Sequence, residues 1–139
     1  MKKETWLKKP TKELLAKLEK SFNYYIRLRD SENRMAKCIS CGKPIELGTK
    51  NYQAGHYVPV AMSSWWRFEE DNVNAQCGEP CNGRKKGNLH EYRKGMEAKY
   101  GEFREREIWE DRHHQVITWD KEKLVDMIFY YNSESDKLK

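Results

Sequence analysis

The sequence has 139 residues, of which 37% are hydrophobic and 35% are charged, and its formal net charge is +5. This length suits one compact domain with helical extensions, and the low apolar content predicts a small hydrophobic core. No apolar run approaches the length of a transmembrane helix, and no secretory signal is recognisable. We therefore expect a soluble cytoplasmic protein rather than a membrane or secreted protein.

The N-terminal segment is the most basic part of the chain. Residues 1–37 contain eleven Lys and Arg against five Asp and Glu, whereas residues 38–90 contain six against five and residues 91–139 contain ten against twelve. After an irregular start, apolar residues at helical spacing predict an amphipathic helix from Thr11 to about Arg34. A basic helix suits a polyanion such as nucleic acid, although a solvated helix face gives the same pattern. The predicted DNA-contacting residues of this helix are Lys12, Lys17, Lys20 and Arg27.

The next elements are a short hairpin and three helices. Residues 51–60 alternate weakly between polar and apolar types, which predicts a hairpin with His56 on one strand or at its end. Helical spacing then predicts one helix that ends at Gly101, one over residues 102–113, and a last helix capped by Thr118. We expect the last residues of the chain, after Asn132, to be frayed.

This pattern divides the chain into three predicted segments. Residues 1–37 form a basic N-terminal helical arm, residues 38–100 form the core, and residues 101–139 form C-terminal helices. The core segment carries all the residue patterns that point to specific chemistry.

The four cysteines lie in two close pairs, Cys38-x2-Cys41 and Cys77-x3-Cys81. Two short-spaced pairs separated by 35 residues are typical of a tetrahedral four-thiolate zinc site. The alternatives are two disulfides or a redox-active thiol pair. Without a secretory signal the thiols should stay reduced, which favours zinc. Four thiolates leave no coordination position for water, so we expect this zinc to be structural.

A histidine and two asparagines are placed around the cysteine pairs. His56 lies between the pairs, Asn72 precedes the second pair, and Asn82 directly follows it. Taken singly, each is typical of a strand or turn residue. Their joint order is the layout of the HNH, or ββα-metal, nucleases. It predicts an α+β fold with a small zinc-stabilised ββα-metal (HNH-like) core and flanking N- and C-terminal helices.

Phosphodiester hydrolysis needs a base, a divalent cation and groups that hold the strand. His56 is the predicted general base, because a neutral imidazole accepts a proton near pH 7. Asn82 offers a side-chain oxygen to Mg²⁺ or Mn²⁺, while Asn72 is expected to order the loop and orient His56. The predicted phosphate contacts beside the site are Arg84, Lys85 and Lys86.

A series of short motifs covers residues 38–93. They are Gly55-His56-Tyr57, Arg67-Phe68-Glu69, Asn72, Gln76-Cys77, Cys81-Asn82, Lys86-Gly87-Asn88 and Tyr92-Arg93. Together they resemble the NinG/Rap family of phage recombination endonucleases. The resemblance implies an HNH-like endonuclease that cleaves branched DNA, such as D-loops and Holliday-type junctions, in the cytoplasm of a bacterial host. It also implies a homodimer, which suits two cuts in a symmetric junction, and assigns the zinc to Cys38, Cys41, Cys77 and Cys81.

One position departs from the wider HNH class. Many HNH enzymes place an acidic or histidine metal ligand directly before the base, where this chain has Gly55. A second ligand would then come from Glu69, Glu70, Asp71 or Glu91, or water and substrate phosphate would hold most of the cation. Gly55 also favours the alternative function, a non-catalytic zinc module that binds DNA or a replication or recombination partner.

Overall fold

A computed structural model describes residues 2–139. The helices are α1 (Lys3–Leu7), α2 (Thr11–Arg29), α3 (Leu89–Tyr100), α4 (Glu102–Glu110) and α5 (Lys121–Leu138), and the strands are β1 (Met35–Lys37), β2 (Pro44–Glu46), β3 (Tyr52–His56) and β4 (Val73–Cys77). Two short 3₁₀ turns, Trp66–Phe68 and Glu70–Asn72, precede β4, and a kinked turn, Gly78–Asn82, follows it. The prediction of a mixed α+β domain is confirmed.

No helix within residues 2–139 combines the length and the apolar character that crossing a membrane requires.

Two antiparallel strand pairs, β1–β2 and β3–β4, form the small β component. His56, the last residue of β3, lies opposite Val73, the first residue of β4. The predicted hairpin within residues 51–60 is therefore wrong, because the partner of β3 lies beyond a long connection. Beyond His56, the N–H of Tyr57 still donates to the carbonyl oxygen of Asn72, and Pro59, which has no N–H to donate, follows in the loop.

The main core lies between α2 and α5. The ring of Phe22 is fully buried and meets the rings of Phe68 and Tyr131 edge-on, with centroid distances of 5.7 and 4.9 Å. These contacts join residues from all three predicted segments in one core, so residues 1–37 pack against the rest of the chain. The buried members of this core are Leu14, Leu18, Phe22, Ile26, Phe68, Val73, Leu124, Val125, Ile128 and Tyr131.

Several predicted helix boundaries differ in the structure. Residues 3–7 form α1 where an irregular start was expected. Helix α2 ends at Arg29 rather than near Arg34. The backbones of Asn33 and Arg34 are left-handed, with φ angles of 52° and 65°, and turn the chain into β1 instead.

At the other end, Asp120 and not Thr118 caps α5. The Asp120 carboxylate accepts hydrogen bonds from the backbone N–H groups of Glu122 and Lys123. The predicted fraying after Asn132 is also wrong, because α5 continues to Leu138.

The four cysteines converge where the β1–β2 turn meets the end of β4. Their Sγ atoms all lie within 4.8 Å of one another, and the Sγ atoms of Cys41 and Cys77 are 3.8 Å apart. A disulfide requires about 2.05 Å, whereas thiolates about 2.3 Å from one tetrahedral zinc are about 3.8 Å apart. The cluster Cys38, Cys41, Cys77 and Cys81 could therefore hold a zinc ion that ties the two strand pairs together.

We expect loss of one cysteine to unfold this region, because structural zinc contributes about 10–16 kcal/mol of apparent binding free energy in small zinc domains. The Cys77→Ser protein should lose zinc and its cooperative thermal unfolding transition, as measured by metal analysis and circular dichroism. Ile117→Ser is the control, since the Ile117 side chain is 98% exposed. A folded, zinc-free Cys77→Ser protein would contradict the expectation.

Candidate active site

A cavity of 270 Å³ lies between the end of β3 and the loop that follows the second cysteine pair. Three residues predicted from the sequence line it together: His56, Asn82 and Lys86. They combine an imidazole, an amide and an ammonium group in one place. The remaining lining residues are Ala54, Pro59, Val60, Gly87 and Leu89.

His56 is held with one ring nitrogen engaged. Its Nε2 lies 3.0 Å from the carbonyl oxygen of Arg67. Because a carbonyl only accepts, Nε2 carries the proton and Nδ1 keeps its lone pair, with no hydrogen-bond partner among residues 2–139. Burial lowers the pKa of His56 below its ordinary 6.5, so the imidazole is neutral at pH 7.

Asn72 fixes the chain on both sides of this contact. Its side chain is fully buried, accepts the N–H of Val58 at 2.8 Å, and donates to the carbonyl oxygens of Val58 and Trp66 at 3.1 and 3.0 Å. Val58 follows His56 closely, and Trp66 precedes Arg67. Asn72 is not among the residues that line the cavity. It fixes the backbone of Val58 and that of Trp66, the residue before the Arg67 carbonyl that bonds His56.

Asn82 belongs to the kinked turn after β4. Its Nδ2 donates to the Oε1 of Gln53 at 2.5 Å. Its Oδ1 receives no hydrogen bond from residues 2–139. Asn82 lines both the His56 cavity and a second cavity beside Gln53 and Glu79.

The four acidic residues considered as further metal ligands do not line this cavity. Glu70 accepts hydrogen bonds from two tyrosines, Asp71 pairs with an arginine, and Glu91 pairs with a lysine. Glu69 lines a separate cavity near α5. Within residues 2–139, the cysteines form the one cluster of three or more Cys, His, Asp and Glu side chains with metal-binding spacing.

Sequence reasoning missed Gln76, a fully buried residue of β4. Its Nε2 donates to the carbonyl oxygen of Gly87 at 2.7 Å and to the Oγ of Ser40 at 3.0 Å. Its Oε1 is buried without a hydrogen-bond partner and occupies the space that a Cβ on Gly55 would need. The signal was present in the sequence, because a glycine within a strand often marks the close approach of another group.

The predicted DNA-contacting residues lie in two places. Arg84, Lys85 and Lys86 are exposed on the loop after the second cysteine pair. On α2, Lys12 and Lys20 are exposed, whereas the Nζ of Lys17 lies 5.2 Å from the Trp6 ring centroid and the guanidinium of Arg27 lies 5.8 Å from that of Tyr24. None of these seven side chains forms an ion pair with a carboxylate of residues 2–139.

Comparisons with known proteins agree on one family. The family described as "Bacteriophage Lambda NinG protein" matches residues 1–139. Proteins named "Protein ninG" from Escherichia phage lambda, Salmonella phage P22 and Escherichia phage 933W are 36%, 35% and 34% identical to this chain over 115 residues. Each match covers 83% of this chain and 52–53% of the relative, so the chain spans about half the length of these relatives. No solved structure matches the chain. The chain belongs to the NinG family.

Proposed function

We propose that this protein is a ββα-metal (HNH-like) endonuclease that cleaves branched DNA by metal-dependent hydrolysis of a phosphodiester. The observation that carries the proposal is the state of His56. Its Nε2–H is committed to the Arg67 carbonyl, which leaves Nδ1 as a free base in the cavity that also contains Asn82 and Lys86.

His56 would act by removing a proton from the attacking water. The Arg67 carbonyl stabilises the imidazolium that forms, because Nε2–H can continue to donate to it. Burial favours the neutral ring before the reaction, so the base is ready at neutral pH. Asn72 supports this chemistry from outside the cavity by holding the segment that carries the carbonyl.

Asn82 and Lys86 would hold the scissile phosphate group and its cation. The free Oδ1 of Asn82 is the type of oxygen donor that Mg²⁺ and Mn²⁺ accept, and the Lys86 ammonium attracts phosphate oxygens. The bound cation would stabilise the negative charge that develops on the phosphate and the leaving oxygen.

DNA is the proposed polymer because the predicted contact residues carry unpaired positive charges. Lys12 and Lys20 on α2 and the loop of Arg84, Lys85 and Lys86 are exposed and lack carboxylate partners within residues 2–139. The choice of branched DNA and of a homodimer rests on the motifs that resemble phage recombination endonucleases. A two-fold symmetric dimer would place two such sites on a symmetric junction.

The second candidate is a zinc module that binds DNA or a recombination partner without cutting it. Gly55 and the absence of a carboxylate from the lining of the His56 cavity favour this alternative. It retains the basic surface and the cysteine cluster, but gives His56 no chemical role.

A cleavage assay on labelled four-way-junction and D-loop DNA separates the two candidates. With Mg²⁺ or Mn²⁺ the wild-type protein should cut, and EDTA should stop the reaction. His56→Ala should lower the rate by at least about 10²-fold, because general bases contribute roughly 10²–10⁴-fold. The variant must retain the zinc content of the wild type. Tight junction binding without cutting by the wild type would favour the binding module.

The pH dependence of cleavage provides an independent prediction. Because burial lowers the pKa of His56, the base remains neutral until the pH falls below 6.5 and is protonated only at more acidic pH. The acidic limb of kcat/KM, measured with Mg²⁺ between pH 5 and 8, should therefore have an apparent pKa below 6.5. An acidic limb centred above 6.5 would contradict a buried, neutral His56 as the base.

A further inference from the structure

A cavity of 590 Å³ lies beside the N-terminal end of α5, between the loop that follows α4 and the segment that precedes β4. This volume falls within the range of about 300–1,000 Å³ that is typical of pockets for small organic groups. Trp65, Phe68 and Trp119 supply aromatic surface to the cavity, and Glu69 supplies a carboxylate. The proposed cleavage reaction uses none of these side chains, so the cavity has no role in it.

Trp65 and His114 form a flat stacked surface in this cavity. Their rings are nearly parallel, with an interplanar angle of 10° and a centroid distance of 4.4 Å. Each ring covers one face of the other, yet Trp65 is 37% exposed and His114 is exposed as well. A third flat ring can therefore extend this stack. Nucleobases stack on aromatic side chains in this way when they are not paired within a duplex.

Hydrogen bonds hold the two rings in place without a ligand. The backbone N–H of Trp65 and the hydroxyl of Ser63 both donate to the carbonyl oxygen of His114. The Nδ1 of His114 donates to the Asp111 carboxylate at 2.9 Å, because an ionised carboxylate can only accept. These bonds fix the ring positions before anything binds, so stacking of a ligand costs little additional ordering.

Glu69 gives the cavity a preference for hydrogen-bond donors. Its side chain is half-buried, and its carboxylate forms no hydrogen bond or ion pair with residues 2–139. Burial raises the pKa of Glu69, since partial removal from water disfavours the charged form. Guanine carries two neighbouring donors, N1–H and the N2 amino group, on its Watson–Crick edge. Among the four DNA bases, guanine alone can donate to both oxygens of one carboxylate from this edge.

The cavity lies close to the His56 site. The loop after β3 contributes Val60 to the His56 cavity and Trp65 to this one. The Arg67 carbonyl bonds His56, and Glu69 follows only two residues later, so the Cα atoms of Arg67 and Glu69 are at most about 7 Å apart. A DNA strand at the His56 site can therefore place a neighbouring nucleotide in this cavity.

We propose that this cavity binds an unpaired nucleobase of branched DNA, with the base stacked on Trp65 and the N–H groups of guanine donated to Glu69. This inference rests on the proposed DNA substrate and adds recognition of one unpaired nucleotide beside the His56 site. Lys123 lines the same cavity, is exposed, and forms no ion pair with a carboxylate of residues 2–139, so its ammonium can contact the phosphate of that nucleotide. A base already unpaired at a branch point costs the least to move out of the stack.

The affinity for junctions with one unpaired nucleotide tests the inference without requiring cleavage. Zinc-loaded His56→Ala protein keeps the DNA intact, and fluorescence anisotropy compares three-way junctions that carry guanine, adenine, cytosine, thymine or an abasic site at the branch point. The guanine junction should bind at least about tenfold more tightly than the abasic junction, an effect of roughly 1.4 kcal/mol. The other three bases should lie between these two. Equal affinity for all five junctions would overturn the inference.

Two positions separate stacking from hydrogen bonding. Trp65→Ala should remove the preference for a base over the abasic site, whereas Trp65→Phe should retain it, because a phenyl ring still stacks. Glu69→Gln should keep that preference but lose most of the preference for guanine over adenine, because an amide has one acceptor oxygen. The matched controls are Tyr130→Ala and Glu46→Gln, which change an exposed ring and an exposed carboxylate outside the cavity and should bind as the parent protein does.

Zinc content, thermal unfolding and molar mass are measured for every variant. Base preference that survives Trp65→Ala, or guanine preference that survives Glu69→Gln, would overturn the inference. If Trp65→Ala does not fold, the ratio of guanine to adenine affinity in Glu69→Gln decides. Loss of a dimer in Trp65→Ala with unchanged base preference would assign the cavity to a contact between copies and would also overturn the inference.

The outcomes distinguish this inference from the nuclease proposal. Cleavage by a wild-type protein that shows no base preference would leave the nuclease proposal intact and overturn the role of the cavity. Base preference that depends on Trp65 and Glu69, without cleavage by the wild type, would support the cavity and overturn the nuclease.

Discussion

The geometry of the site depends on one buried amide, that of Asn72. The connection between β3 and β4 contains only two short 3₁₀ turns, so ladder hydrogen bonds cannot determine its path. Asn72 replaces them with hydrogen bonds to both backbone groups of Val58 and to the carbonyl of Trp66. These bonds set where the chain leaves β3 and where the Arg67 carbonyl lies. The tautomer of His56 follows from that position. An aliphatic residue at position 72 would leave buried backbone groups unpaired and release the carbonyl from the histidine.

The cysteine cluster constrains the opposite end of the same strand pair. Gln76 directly precedes Cys77, and its amide bonds Ser40 inside the first cysteine pair and Gly87 beyond the second. A zinc ion that fixes the two pairs would thereby also fix the acceptors that orient this amide. The cysteine cluster and the cavity are therefore connected through one side chain. This connection explains how a domain with so few strand residues can hold polar groups in defined orientations without a large β-sheet.

The sequence predicts the parts of this arrangement that depend on spacing. Two short-spaced cysteine pairs predict one shared metal site, and the four cysteines do lie together. His56 lies at the end of a strand, as its local pattern indicates. The strand that pairs with β3 could not be predicted, because pairing depends on which distant segment is buried. The residues of β4 alternate between apolar and polar types, which suggests one exposed face, yet all five are buried, Asn74 and Gln76 included. The packing of α2 against α5 was missed for a similar reason: an amphipathic stripe shows that a helix is covered, but not by what. Gly55 within a strand indicated that another group approaches closely, but the sequence does not show that this group is the side chain of Gln76.

The location of the basic loop has an electrostatic explanation in this arrangement. With zinc bound, four thiolates would give the cysteine cluster a formal charge of −2, which opposes the approach of a phosphate backbone. A few residues after Cys81 the chain carries three exposed cations, Arg84, Lys85 and Lys86. Their combined charge of +3 exceeds in magnitude the charge of −2 on a zinc-loaded cluster. The lining of the His56 cavity contains no carboxylate and so adds no further negative charge. Under the proposed function, this arrangement would allow the region around His56 to attract a polyanion. In this way the basic loop would compensate the charge of a zinc-loaded cluster next to a cavity whose lining has no carboxylate.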